Sequence, residues 1–244
     1  MFKLNERERY RYRYKSRNME SKIRDLRQEI FKFEQLSNFD KNDFFVSECN
    51  YFAFNLIKSW PNWEKKILNI YGERKSGKSH LSEIFLENKK GVKFKSKDLN
   101  KKIFDKIKGY ENIVIEDFNE RCDEETTYSL IDMVEKENKY LLITSVIAVN
   151  EMETRLNDLN SRFKNILTAK IGKPDDELIY ALIVKNFSDS QIILDKKLIN
   201  FICKRIARSY DKISEFICTI DEISLKKKKP INLKIIKEIL GVSN

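Results

Sequence analysis

The chain has 244 residues, enough for one large domain or two small ones and for a sizeable buried core. Hydrophobic residues make up 41% and charged residues 35%, with six Gly and three Pro, which excludes collagen-like, low-complexity and mucin-like chains. The net charge is +10, and a single His argues against a His-based zinc or triad enzyme.

No apolar run approaches the roughly 18 residues of a membrane span, and the N-terminus lacks the apolar core of a signal peptide. Cys49, Cys122, Cys203 and Cys218 have neither paired nor metal-type spacing. A cytoplasmic protein without membrane association is the expectation.

Residues 1–34 form a basic tail; residues 1–35 hold 11 Lys and Arg against 6 Asp and Glu. Tyr10, Tyr12 and Tyr14 alternate with Arg9, Arg11 and Arg13, the pattern of a solvated tail, a strand edge or an RNA-contacting arm. A basic surface suits phosphates, but Lys is abundant throughout, so DNA contact by the body is expected to be indirect or weak.

From about residue 35 strands and helices alternate. A helix over 50–59 stops at Pro61, and a buried strand over 67–71 ends at Gly72. A helix over 78–88, a strand over 91–94 and a helix capped by Ser96 and running to Ile107 follow. Next come a strand over 112–115, a helix from Asp123 to Lys136, a strand over 140–144, a polar helical stretch reaching Arg162 and a strand over 166–171. Short apolar strands separated by helices predict an α/β domain over 35–172, a parallel sheet of five strands covered on both faces. Pro174 opens the first of four helices, over 175–187, 195–207, 211–225 and 232–240, which make residues 173–244 an all-α lid.

Gly72-Glu73-Arg74-Lys75-Ser76-Gly77-Lys78-Ser79 matches G-x-x-x-x-G-K-[ST] in full. Such a loop curls so that backbone N–H groups face phosphate oxygens. Lys78 would reach the outer phosphates, Ser79 would offer its hydroxyl to Mg2+, and the following helix would turn its N-terminus to the charge. Glu73, Arg74 and Lys75 replace the usual extra Gly and Pro, with side chains free to point outward. The apolar strand over 112–115 ends in Glu116 and Asp117. Glu116 would hold Mg2+, and Asp117 would orient an attacking water. His80, next to the loop, reads as a packing residue beside a nucleotide.

The motif order resembles the AAA+ core of the bacterial initiator DnaA and its shortened relative Hda. Asp43-Phe44-Phe45-Val46-Ser47-Glu48-Cys49-Asn50 matches the adenine-side motif, and Trp60-Pro61-x-Trp63, the loop through His80-Leu81, Leu142-Ile143-Thr144-Ser145 and Leu159-Asn160-Ser161-Arg162-Phe163 continue it. The resemblance implies an AAA+ P-loop sheet with a helical lid, ATP or ADP with Mg2+ as ligand, and Val46 and Asn50 on the nucleotide's adenine side. With the chain ending at the lid, it points to the Hda-like group that inactivates the initiator, with DnaA as partner. Arg162 would then act in trans on ATP bound to DnaA; such a finger is worth about 10³–10⁵ in rate. The alternative for Arg162 is an ordinary surface ion pair, with Arg155 as a fallback finger.

Thr144 or Ser145 would contact the γ-phosphate or water. The lid arginine that the resemblance leads one to expect falls near Ser214, with Lys212 or Arg208 as substitutes, so intrinsic hydrolysis should be poor. The relatives also carry a motif that docks on the DNA polymerase sliding clamp. Gln28-Glu29-Ile30-Phe31-Lys32-Phe33 sits at the matching distance, with Gln28, Phe31 and Phe33 as the contacts. The bland alternative makes Phe31 and Phe33 the first core residues. A homo-oligomer is compatible with the pattern. Other readings of the core are a DNA-binding accessory initiator or helicase loader, a metabolic phosphotransferase, and a nucleotide-binding interaction module without catalysis.

Overall fold

Each central strand carries apolar residues on both sides, so the sheet must be covered on both faces. The computed structural model, which describes residues 44–87, 89–190, 192, 194–227 and 231–241, shows that arrangement. The strands are β1 (Ile67–Tyr71), β2 (Gly91–Lys95), β3 (Asn112–Phe118), β4 (Tyr140–Ser145) and β5 (Leu167–Lys170), in the order β2-β3-β4-β1-β5. Every pairing is parallel; Ile67 sits opposite Leu141, and Leu68 opposite Leu167.

Successive strand residues go to opposite cores. Ile67, Ile113, Ile115, Leu141 and Ile143 pack on one face against α3 (Ile103–Ile107), α4 (Glu124–Lys136) and α5 (Asn157–Lys164). Leu68, Ile70, Val114 and Leu142 pack on the other against α1 (Tyr51–Lys58) and α2 (Lys78–Glu87). Trp63 and Phe85 stack at the edge of this second core, with ring centroids 5.2 Å apart.

Four helices follow: α6 (Asp176–Asp189), α7 (Lys196–Cys203), α8 (Tyr210–Lys227) and α9 (Leu233–Ile239). They enclose a third core containing Ile179, Ile183, Ile202, Phe216 and Ile236. Phe44–Asn244 forms one compact unit, and none of its described helices is long and apolar enough to cross a membrane.

Local polar chemistry explains where the elements depart from the sequence pattern. The helix expected from Ser96 to Ile107 is split into a 3-10 turn over Ser96–Asp98 and α3. Asn100 breaks it, its amide donating to Asp98 O and its Oδ1 accepting from Lys102 N. The polar stretch before Arg162 is helical only in α5 and in a short 3-10 turn, because Glu124 accepts the N–H groups of Arg155 and Leu156 where the chain bends ahead of α5. Pro174 lies outside α6. The cap is Asp175, which accepts from Leu178 N at 2.8 Å. The helix expected over 195–207 ends at Cys203.

Asn69, fully buried in β1, ties that strand to the end of β4 and to the 3-10 turn at Val149–Glu151. Its amide donates to Ile143 O (3.1 Å) and Ser145 Oγ (2.9 Å), while its Oδ1 accepts from Val149 N (3.0 Å). Asn69→Leu keeps the branching of the side chain but strands the Val149 N–H, so a loss of about 2–4 kcal/mol is expected. Urea unfolding measures it, and an unchanged midpoint would contradict the role given to this side chain.

Candidate functional site

The carboxyl ends of β1, β3, β4 and β5 and the start of α2 bound the site. At the end of β1 the Gly72 N–H donates to Ser145 O at 3.2 Å, and a Cβ on Gly72 would lie 2.8 Å from Ile171 O. Lys75 (φ 61°) and Gly77 (φ 93°) take left-handed backbone, curling residues 72–79 into a concavity of the kind whose N–H groups bind anions. A Cβ on Gly77 would come within 2.9 Å of the Phe44 ring, so Gly77 is fixed by conformation and by close approach.

Lys78 opens α2 and is buried. Its ammonium donates to Gly72 O (2.9 Å) and Glu73 O (2.6 Å), with Ser76 Oγ at 3.4 Å. Burial pushes this ammonium below its ordinary pKa; Asp117 pulls it back up, Arg74 lowers it further and Glu73 raises it. A glycine-lined curl, a positive charge inside it and a helix N-terminus form a donor set that fits a chain of phosphates. Ser79 is exposed on the first turn of α2, and His80 packs edge-on against Phe44 with centroids 5.4 Å apart. Arg74 and Lys75 are exposed, as the sequence suggested for that part of the loop, while Glu73 is half-buried.

Strand β3 is irregular where its acids lie. The register with β4 shifts between Ile115 and Phe118, and Asp117 has φ 57°. This kink buries Glu116 and exposes Asp117, whose N–H donates to Thr144 Oγ1 at 3.2 Å. Glu116 Oε1 has no hydrogen-bond partner, and its other oxygen lies 3.7 Å from Lys93 Nζ on β2. Lys93 is itself bonded to Glu83 of α2, and the two acids raise its pKa, Glu83 most.

The unpaired, buried Glu116 oxygen and the Ser79 hydroxyl fit a hard cation. Among the described residues no cluster of three or more His, Cys, Asp or Glu forms a metal cage, so Mg2+ would share phosphate and water oxygens. Thr144 thus sits with the acids. Ser145 is committed elsewhere, donating to Ile147 O and accepting from Asn69.

On the opposite rim Val46 is half-buried, and Asn50 acts as a staple. Its Oδ1 accepts from Ser47 N and its amide donates to Phe45 O, both at 2.9 Å, so it shapes the segment with its polar atoms already paired. Cys49 O accepts from Gly172 N, Cys49 N donates to Asp175 Oδ2, and Tyr210 OH donates to Gly172 O. These bonds join the 44–50 segment, the end of β5 and the beginning of the lid. Phe44, Lys93 and Tyr210 were not singled out in the sequence. Phe44 lay inside the quoted motif; Lys93 and Tyr210 carried no local signal.

The lid meets the loop through Lys75, whose Nζ donates to Ser214 Oγ (3.2 Å) and lies 3.6 Å from Asp211. Arg208 pairs with Asp176, and Lys212 with Glu215. Arg162, on α5, pairs with Asp132 (2.9 Å) and Glu135 of α4 and lies over the Tyr128 ring. That is an ion pair within the chain, away from the residues that bound the loop. Arg155 is exposed. Gln28, Phe31 and Phe33 lie outside the described residues.

The RNA helicase family profile matches residues 68–157, the stretch that contains the loop, both acids and Thr144. The chromosomal replication initiator protein DnaA of Buchnera aphidicola is 21% identical over 240 residues, covering 88% of this chain. The chain spans 54% of that relative's length. Domain III of Thermotoga maritima DnaA superposes with a TM-score of 0.64 at 18% identity, covering 85% of this chain and 98% of that one. A replication initiator DnaA bound to AMPPCP and single-stranded DNA gives a TM-score of 0.60 at 15% identity, covering 78% of this chain and 68% of that one. The chain has the AAA+ P-loop fold and is similar in sequence to the replication initiator DnaA.

Proposed function

We propose that this chain is an adenine-nucleotide-binding regulator of chromosomal replication initiation, acting as Hda-like proteins do. In this reading it docks on the sliding clamp through Gln28, Phe31 and Phe33 and promotes ATP hydrolysis by DnaA through Arg162. The observation that carries its nucleotide half is the buried Lys78 ammonium inside a glycine curl, fixed by acceptors of its own loop. The AMPPCP on a similar initiator supports an adenine nucleotide there. The loop N–H groups and Lys78 would hold the phosphates of ATP or ADP. Ser79 and Glu116 would hold Mg2+, which supplies charge neutralisation at the phosphates. Asp117, its backbone fixed by Thr144, would orient water.

Two features favour a regulator over a fast ATPase. Glu116 shares its charge with Lys93 instead of offering both oxygens to a cation. The lid turns Asp211 and Ser214 to the loop, while Arg208 and Lys212 are paired with lid carboxylates. Arg162 would have to exchange the carboxylates of Asp132 and Glu135 for a partner's phosphates, one set of anionic acceptors for another. Its side chain is 25% exposed, beside carboxylates that a docked partner's phosphates would replace. A second reading, a DNA-binding accessory initiator or helicase loader, is favoured by the single-stranded DNA on the similar initiator.

Lys78→Ala should weaken ADP binding by roughly 100-fold, since charge-assisted bonds to phosphate are lost. Isothermal calorimetry decides this, and wild-type affinity in the variant would remove the phosphate cradle. With DnaA and clamp-loaded DNA, the wild-type chain should stimulate ATP hydrolysis, and Arg162→Ala should lose about 10³ of that stimulation at unchanged ADP affinity. No stimulation by the wild type rejects the regulatory role, and full stimulation by the variant rejects the finger. In a clamp pull-down, Gln28→Ala with Phe33→Ala should release the protein; undiminished capture rejects the docking motif.

A further inference from the structure

Strand β2 brings a cation to the acid on which a bound metal would depend. Alternate strand residues share a face, and the register of β2 with β3 sets Lys93 beside Val114 and Lys95 beside Glu116. Lys93, Val114 and Glu116 therefore belong to the face that α2 covers, where Val114 is fully buried. Helix α2 supplies the third member of the group. Ser79 and Glu83 stand four residues apart on it, about one helical turn, and Glu83 accepts from the Lys93 ammonium.

Lys93 is thus held between two carboxylates on two elements. Glu83 is exposed, whereas the Glu116 side chain is only 8% exposed, with one oxygen 3.7 Å from Lys93 Nζ and the other without a hydrogen-bond partner among the described residues. A carboxylate taken out of water is costly unless positive charge faces it, and Lys93 supplies that charge from within the chain. Mg2+ at a nucleotide takes one or two protein carboxylates and fills its shell with phosphate and water oxygens. Here it would meet a carboxylate already opposite an ammonium, and the two cations would repel each other, with little relief from salt where the shared acid is buried. Glu83 holds the ammonium from the other side, so the fold itself fixes the competitor in place.

We propose that Lys93 is a positioning residue of the nucleotide site, which stands in for a divalent cation at Glu116 so that the chain holds ADP with little help from Mg2+. The inference rests on the reading of residues 72–79 as a phosphate cradle and concerns what a metal adds to it. The positive charge that the phosphates meet then comes mainly from Lys78, the loop N–H groups and the start of α2. Lys93 touches neither the loop nor the phosphates in this scheme and acts through Glu116.

The test measures ADP binding to the full chain by isothermal calorimetry in MgCl2 and in EDTA at matched ionic strength. Wild-type affinity should differ by no more than about threefold between the two buffers, since the carboxylate that Mg2+ would need is already balanced. In Lys93→Met, Mg2+ should tighten ADP by about tenfold relative to EDTA, the scale of one charge–charge repulsion near a protein surface. Lys93→Arg keeps the charge and should keep the wild-type indifference to metal. Lys93→Met/Glu116→Gln, with no carboxylate left to gain, should lose the tenfold response again. If Lys93→Met melts early, Lys93→Gln is read in its place with the same expectations. Wild-type binding that collapses in EDTA overturns the proposal and leaves the phosphate cradle standing, whereas absence of ADP heat in both buffers removes the cradle and the proposal with it. A Lys93→Met protein as indifferent to Mg2+ as the wild type, or a double variant that keeps the tenfold response, also overturns it.

Discussion

An ammonium group removed from water must find acceptors, and Lys78 finds them in the carbonyls of Gly72 and Glu73. That bond set closes residues 72–79 into a ring with a positive charge at its centre. The ring forms only if Gly77 can take φ 93° and Gly72 can approach Ile171 O. A side chain at either glycine would force the loop open and leave the charge unsatisfied. The sheet supplies the rest: Gly72 N–H is anchored to β4 through Ser145 O, and Asn69 fixes Ser145 in turn. The loop is therefore tied through hydrogen bonds to the centre of the fold.

The same strand ends set the surroundings of the two acids. A regular β3 would have left Glu116 and Asp117 on opposite faces of a flat edge. The kink between Ile115 and Phe118 sends Glu116 inward toward α2 and Lys93, and leaves Asp117 in solvent with its N–H fixed by Thr144. Two adjacent carboxylates thus have different surroundings, one buried beside a cation, the other hydrated and within electrostatic reach of Lys78. Distinct environments are what let neighbouring acids take distinct roles.

Much of this was legible because it rests on local rules. The five apolar segments became the five strands, since runs such as Ile113-Val114-Ile115 can be covered only inside a two-sided layer. The loop was legible because its glycines and lysine are required at fixed spacing. Features set by distant side chains were hidden. Glu124 accepting from Arg155 and Leu156, Lys93 reaching Glu116, and Tyr210 bonding to Gly172 each join residues whose proximity exists only after folding. Asn50 illustrates the intermediate case. Its position in the motif was visible, yet its amide is spent on Phe45 and Ser47, so it shapes the rim with atoms already paired.

The polarity of the contact between loop and lid follows from these placements. Lys75 stands on the outer curve of the loop, and its left-handed backbone projects the side chain toward Asp211 and Ser214 of α8. The cation at this junction therefore belongs to the loop, and the lid answers with a carboxylate and a hydroxyl. A lid that presents acceptors gains nothing from extra negative charge on the phosphate chain, whereas a lid cation would. Lys75 and Asp211 are each 57% exposed, so their attraction is screened and their contact easily exchanged with water. The lid is also joined to the α/β core where Tyr210 meets Cys49 and Gly172, and there burial pushes the Tyr210 hydroxyl pKa well up and keeps it a neutral donor to Gly172 O.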